Sequence, residues 1–141
     1  MESNEITPVI LTYNEAPNIG RSLERLTWAS RVVVVDSGSD DETASICDQY
    51  PNTELIVRAF DDHSLQWNFG IDQVATEWVL ALDADYLVAE GFANEIEGMD
   101  LEESVSGLLA DFRYLVFGKA LRGCLYPSKV VLFRKERCQY V

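Results

Sequence analysis

Apolar residues fall along this chain in short blocks separated by polar, turn-forming stretches, and the spacing alternates between strand-like and helix-like. "ITPVILTY" (6–13) is a mostly apolar run. "APNIGRSLERLTW" (16–28) then places Ile19, Leu23 and Leu26 on one helical face, with Pro17 suited to a first turn. The four consecutive valines in "RVVVVDSGSDDETASICDQY" (31–50) carry the signature of a buried strand. After the break at "SGS", Ser39 and Glu42 have the spacing of a capping box, with Asp40, Asp41 and Glu42 in the first helical turn. "TELIVRAF" (53–60) predicts a third strand, "SLQWNFGIDQVA" (64–75) a helix weakened by Gly70, and "EWVLALDAD" (77–85) a fourth strand. Strands alternating with helices at this spacing imply an α/β fold with a mostly parallel sheet, its strands near 6–12, 31–36, 54–58 and 78–83. In open sheets of that kind ligands bind outside the carboxyl ends of the strands. Those ends carry Thr12, Tyr13 and Asn14, then Asp36, then Asp83 and Asp85.

After residue 90 the alternation stops. "FANEIEGM" predicts a short helix, while "VSGLLADFRYLVF" (105–117) and "VVLFRKERCQYV" (130–141) are strand-like, with "GKALRGCLYPSK" looping between them. This predicts an antiparallel appendage. There is no repeat or low-complexity linker, and the chain stops directly after an apolar segment, the expectation for a piece of a longer protein.

Composition narrows the function classes. At 48% hydrophobic residues, 141 positions suffice for one core and one domain. No run of eighteen apolar residues occurs, and "MESNEITPVI" lacks the basic start and apolar middle of a secretory signal. The formal charge of −13 repels phosphate backbones and anionic membrane surfaces, which argues against a nucleic-acid partner and favours divalent cations as local counter-charge. Cys47, Cys124 and Cys138 form no C-x-x-C pair, so reduced thiols in a reducing compartment are expected.

Two aspartates one residue apart at the mouth of a buried strand are the strongest local signal. Eleven aspartates in 141 residues produce one such pair by chance, so its position is what carries weight. Paired carboxylates there repel one another unless a cation or hydrogen-bond donors compensate, and hard oxygen ligands suit Mg²⁺ or Mn²⁺. Helix capping or a solvated loop is the competing role for this pair, and capping is equally open to Asp36. His63 reads as a solvated side chain, and Trp28, Trp67 and Trp78 as packing. Neither G-x-x-x-x-G-K-[ST] nor G-x-G-x-x-G is present, so a nucleotide is not held by a P-loop or a Rossmann turn. The D-x-D of haloacid-dehalogenase phosphatases lies early and wants Thr or Val where Leu87 stands. A receiver domain would need a lysine after its last strands and an acidic pair after its first.

Taken together, "VILTYNEAPNIGRSLERL", "VVVVDSGSDDET", "QWNFGIDQVATEWVLALDAD" and "FGKALRGCLYPSKVVLFRK" resemble glycosyltransferase family 2, with its GT-A nucleotide-sugar sandwich, most closely the lipopolysaccharide-core β-glucosyltransferase branch. The resemblance implies one domain over 1–141, with a nucleotide-sugar-binding half at 1–90 and the start of an acceptor half at 91–141. It implies that Thr12, Tyr13, Asn14 and Glu15 line the nucleotide pocket and that Asp36 contacts the base or ribose. Asp83 would lie against the ribose and the metal shell, with Ala84 in the substrate-binding set and Asp85 the principal ligand of Mg²⁺ or Mn²⁺. Asn68 would shape the sugar-phosphate side. The implied reaction is inverting transfer from a nucleotide-diphospho-sugar, a UDP-sugar first among them, to a saccharide or lipid-linked acceptor, in cell-surface polysaccharide or lipopolysaccharide synthesis. The implied location is cytoplasmic, peripheral to the inner face of the membrane in the full-length protein. The general base is expected beyond Val141, leaving this chain able to bind donor and poor at transfer. The sequence departs from the family at Trp67 and Val131, where arginine is usual, and at Tyr86, where glutamate is frequent. A non-catalytic nucleotide-sugar or metal-binding module is the alternative, and a ligand-free α/β interaction domain a third.

Overall fold

The computed structural model describes residues 1–123 and 127–141. Its centre is a six-stranded sheet. Strands β1 (Ile6–Thr12), β2 (Val32–Asp36), β3 (Thr53–Val57) and β4 (Trp78–Asp83) form the parallel part in the order β3-β2-β1-β4. Helices α1 (Ile19–Glu24), α2 (Thr43–Cys47) and α3 (His63–Asp72) follow β1, β2 and β3. The predicted α/β alternation is present, with shorter helices than the periodicity suggested.

The uninterrupted valines of β2 are explained by burial on both faces. Val32 and Val34 join the core beneath α1 and α2, with Ile10, Leu23, Leu26 and Leu80. Val33 and Val35 join the core beneath α3, with Val9, Trp67, Ile71 and Val79. All four are fully buried, and each such side chain contributes about 1.5–3 kcal/mol of transfer free energy. Gly70 allows α3 to lie this close: a Cβ there would stand 2.7 Å from Val9 Cγ1 and 3.1 Å from Val35 Cγ2. The residue that weakens the helix locally is the one the helix-sheet contact requires.

Three expectations need correction. The capping box does not form, because α2 begins at Thr43 and Glu42 makes no side-chain cap. Asp41 instead accepts hydrogen bonds from the Thr43 backbone N–H at 2.9 Å and the Thr43 hydroxyl at 2.5 Å, so the acidic run precedes the helix. The antiparallel pairing expected after residue 90 is present, but as part of the central sheet and not as an appendage. Strand β5 (Gly107–Ala110) and the later strand β8 (Lys129–Arg134) extend the sheet, β8 lying antiparallel between β4 and β5. The loop predicted over 118–129 contains a strand, since β6 (Leu115–Val116) and β7 (Lys119–Ala120) form a separate hairpin. The rest of that loop includes Cys124, which lies outside the described residues. The short helix over "FANEIEGM" is present as α4 (Phe92–Glu97). Arg134 fastens the β4–β8 seam through an ion pair with Glu77 and a guanidinium 4.6 Å from the Trp78 ring centroid.

Candidate functional site

The parallel register decides what meets at the carboxyl edge of the sheet. Thr12 pairs with Asp36 across β1 and β2, and Leu11 pairs with Asp83 across β1 and β4. Three strand ends thus bring a hydroxyl and two carboxylates to the same edge of the sheet. Alternation along the strands turns Thr12 and Asp36 toward the α1/α2 core and Asp83 toward the α3 core. Thr12 is 4% exposed and its hydroxyl oxygen is buried with no hydrogen-bond partner in the structure, which costs free energy unless something supplies a partner.

The loops after β1 and β2 are laced together by polar groups. The buried Asp36 carboxylate accepts from the backbone N–H of Gly38 and Ser39 and from the Ser39 hydroxyl. Ser39 Oγ in turn accepts the Asn14 N–H at 2.8 Å, and Asn14 Oδ1 accepts the Asp40 N–H at 2.9 Å. The Glu15 and Ala16 N–H groups donate to Thr43 Oγ1 and Asp41 Oδ2. Asn14 sits at φ 52°, a left-handed conformation that asparagine tolerates better than most residues. Within this lattice Tyr13 is exposed and Glu15 half-buried, its carboxylate accepting from Asn18 Nδ2 at 2.8 Å. Asp36 therefore organises the loop; burial pushes the Cys47 thiol up to about 11, with the charge of Asp36 the next cause.

On the other side, the turn after β4 is held from α1. The Ser22 hydroxyl donates to the Ala84 carbonyl at 2.7 Å and lies 2.9 Å from that of Tyr86. Ala84 is buried, Asp83 half-buried and Asp85 exposed. Burial, followed by the charge of Asp83, drives the pKa of the Tyr86 phenol well above the usual tyrosine value. Lys129 Nζ reaches the Tyr86 oxygen at 3.4 Å, and the Tyr86 ring meets Phe112 edge-on with centroids 5.0 Å apart. Burial raises the pKa of the Tyr140 phenol first and the Asp83 charge next.

Asn68 is already engaged. Its amide donates to the Tyr140 carbonyl at 2.8 Å and accepts the Tyr140 N–H at 3.0 Å, while Trp67 stacks on the Tyr140 ring at 5.3 Å. Trp67 and Trp78 are buried as expected and Trp28 is half-buried. His63 is exposed yet accepts the Trp67 indole N–H at 3.2 Å. Sequence reasoning missed Gln66, fully buried, whose amide bridges Ser37 Oγ and the Arg58 carbonyl while its oxygen accepts from the Arg58 guanidinium. Its polarity inside an otherwise apolar helical face was the available signal. Ser39 and Thr43, taken for helix capping or passed over, hold the loop after β1.

No group of three or more metal-ligating side chains exists among the described residues. Asp83 and Asp85, the first half-buried and the second exposed, fit a hard cation that takes one or two carboxylates and its other oxygens from phosphate and water.

A family model, glycosyl transferase family 2, matches residues 7–103, more than half the chain. The chain belongs to this family. Among family-2 relatives, an uncharacterized glycosyltransferase of Rickettsia felis is 32% identical over 94 residues, covering 66% of this chain and 33% of that protein. The lipopolysaccharide core biosynthesis glycosyltransferase LpsC of Rhizobium meliloti is 29% identical over 84 residues, covering 57% and 31%. The chain spans about a third of the length of these curated relatives. The sandwich is the GT-A fold, and solved structures share it. A mannosyltransferase from Pyrobaculum calidifontis in complex with GDP-Man and Mn²⁺ superposes with a TM-score of 0.62 at 27% identity, over 73% of this chain and 34% of that one. TarS of S. aureus in complex with UDP-GlcNAc superposes with a TM-score of 0.55 at 25% identity, over 69% and 30%. No helix among the described residues is long and apolar enough to cross a membrane.

Proposed function

We propose that this chain forms the donor-binding part of a metal-dependent, inverting glycosyltransferase that takes a UDP-sugar and passes the sugar to a saccharide or lipid-linked hydroxyl in cell-surface polysaccharide or lipopolysaccharide synthesis, at the cytoplasmic side and peripheral to the membrane. The observation that carries it is the carboxyl edge of the sheet, where neighbouring strands end at Asp36, Thr12 and Asp83 and a buried Thr12 hydroxyl lacks a partner. The loop 12–15, braced by Asp36 and Ser39, forms the wall for the nucleoside, and Tyr13 offers an exposed ring on which a base can stack. Asp83, half-buried, and Asp85, exposed, would hold Mg²⁺ or Mn²⁺, which supplies charge neutralisation for the departing diphosphate, an effect of several kcal/mol. Asn68 acts on the sugar-phosphate side, where it fixes the Tyr140 backbone. The acceptor proton goes to a general base that we place outside residues 1–141, so the 141-residue chain binds donor and transfers slowly.

The UDP-GlcNAc-bound and GDP-Man-bound relatives differ in the base they hold, so the test is a thermal-shift panel of UDP, GDP, dTDP and CDP sugars with and without Mn²⁺. Stabilisation greatest with UDP-sugar and Mn²⁺ is expected. A larger shift with another nucleotide reassigns the donor, and equal shifts in EDTA remove the metal from the reading. Nucleotide release with candidate acceptors then separates enzyme from binding module.

A further inference from the structure

The net charge of −13 conceals a segregation. Residues 112–134 hold five basic and no acidic side chains, so the other 118 residues carry −18. The β6–β7 hairpin projects from this basic segment, and its apolar side chains point to solvent: Leu115, Val116 and Leu121 are exposed, and Phe117 at the apex is 101% exposed. Phe117 also sits at φ 49°, a left-handed conformation costly for a bulky aromatic. Gly118 follows at φ 75°, so the two residues form the hairpin's tight turn, which needs positive φ at both positions but does not need an aromatic side chain. Arg113, Lys119 and Arg122 flank the tip in sequence. A second exposed apolar pair, Leu109 and Val130, lies where β5 and β8, the strands on either side of the hairpin in the chain, are paired.

We propose that the 113–122 hairpin is a membrane-interface anchor, its Leu115-Val116-Phe117 tip entering the acyl boundary of an anionic lipid bilayer while Arg113, Lys119 and Arg122 contact the lipid headgroups. Apolar side chains and cations together are the two signals that weak interfacial binding needs. The strongly acidic remainder of the chain is repelled by the same surface, which orients the protein hairpin-first. This assigns a surface to the peripheral location proposed above and is independent of the donor reading.

Vesicle co-sedimentation tests it, using phosphatidylcholine alone and phosphatidylcholine with one-third phosphatidylglycerol. The chain should partition onto the anionic vesicles at least about tenfold better than onto the neutral ones, and lose most of that in 0.5 M salt. Phe117→Asp should reduce partitioning about tenfold or more without changing the unfolding temperature, because the side chain it replaces is fully exposed. Absence of binding, or binding unaffected by Phe117→Asp or by salt, overturns the proposal. Concentration-dependent dimerisation that Phe117→Asp abolishes, with no vesicle binding, assigns the tip to a second copy and overturns it equally. UDP-induced thermal shifts on the same samples keep the two readings apart: their absence alongside vesicle binding sinks the donor site alone, and their presence without vesicle binding sinks the anchor alone.

Discussion

The buried carboxylate of Asp36 holds Ser39 twice, accepting its backbone N–H at 2.8 Å and its hydroxyl at 2.5 Å. Because Ser39 Oγ also accepts the Asn14 N–H, one strand-end carboxylate controls the shape of the loop after a different strand.

Asp36→Ala should therefore act at a distance. Losing hydrogen bonds to a charged, buried acceptor costs about 1.5–3 kcal/mol, and the freed Ser39 would release Asn14 from its left-handed conformation. Urea unfolding should show that loss of stability, and uridine diphosphate affinity should fall with it. An Asp36→Ala protein as stable as the parent would show that Ser39 is held by other groups.

Gly70→Ala separates local propensity from packing. Alanine gains about 1 kcal/mol in an isolated helix, yet its Cβ would stand 2.7 Å from Val9 Cγ1. Overpacking of this kind costs about 1–3 kcal/mol, so net destabilisation is expected in urea unfolding. Adding Val9→Ala should recover part of it, because the obstructing methyl is removed. A stabilised Gly70→Ala would mean that the sheet yields more easily than the contact implies.

Asp85→Asn should leave the fold intact, since Asp85 is exposed at the turn after β4, and should remove most of the Mn²⁺-dependent part of the uridine diphosphate thermal shift. The shift in EDTA should not fall, because repulsion of the diphosphate is relieved. Unfolding of the variant would assign Asp85 a structural role.

The Arg58–Asp61 pair yields a pH signature. Arg58 donates to both Asp61 oxygens at 2.8 and 2.9 Å, and these bonds lower the Asp61 carboxyl from 3.8 to about 2. A folded pKa below the unfolded one means that the contribution is complete above about pH 4 and disappears as pH falls through 2. Asp61 is open to solvent, so the stability effect is small. NMR titration should place the Asp61 midpoint near 2 and return it toward 3.8 in Arg58→Met. An unshifted midpoint in the parent protein would show that the pair does not persist in solution.

Much of this architecture was written locally. Consecutive valines at 32–35 can only be accommodated in a strand covered on both faces, and Ile19, Leu23 and Leu26 share one face of any helix, so the parallel core followed from periodicity. The positions of Thr12, Asp36 and Asp83 at strand ends followed with it, because a strand stops where its apolar run stops.

Tertiary structure decided what those residues touch. Ser39 and Glu42 have capping-box spacing, yet Asp36 and Asn14 capture Ser39 because the carboxyl ends of β1 and β2 lie side by side. Asn68 is spent on Tyr140, 72 residues away, and Tyr140 meets Trp67 and Phe133 only after β8 has docked antiparallel on β4. Apolar burial is summed along the chain, so its period is visible in sequence. A polar side chain satisfies itself with whichever donor or acceptor folding brings within 3 Å, and that choice is made only when distant segments meet.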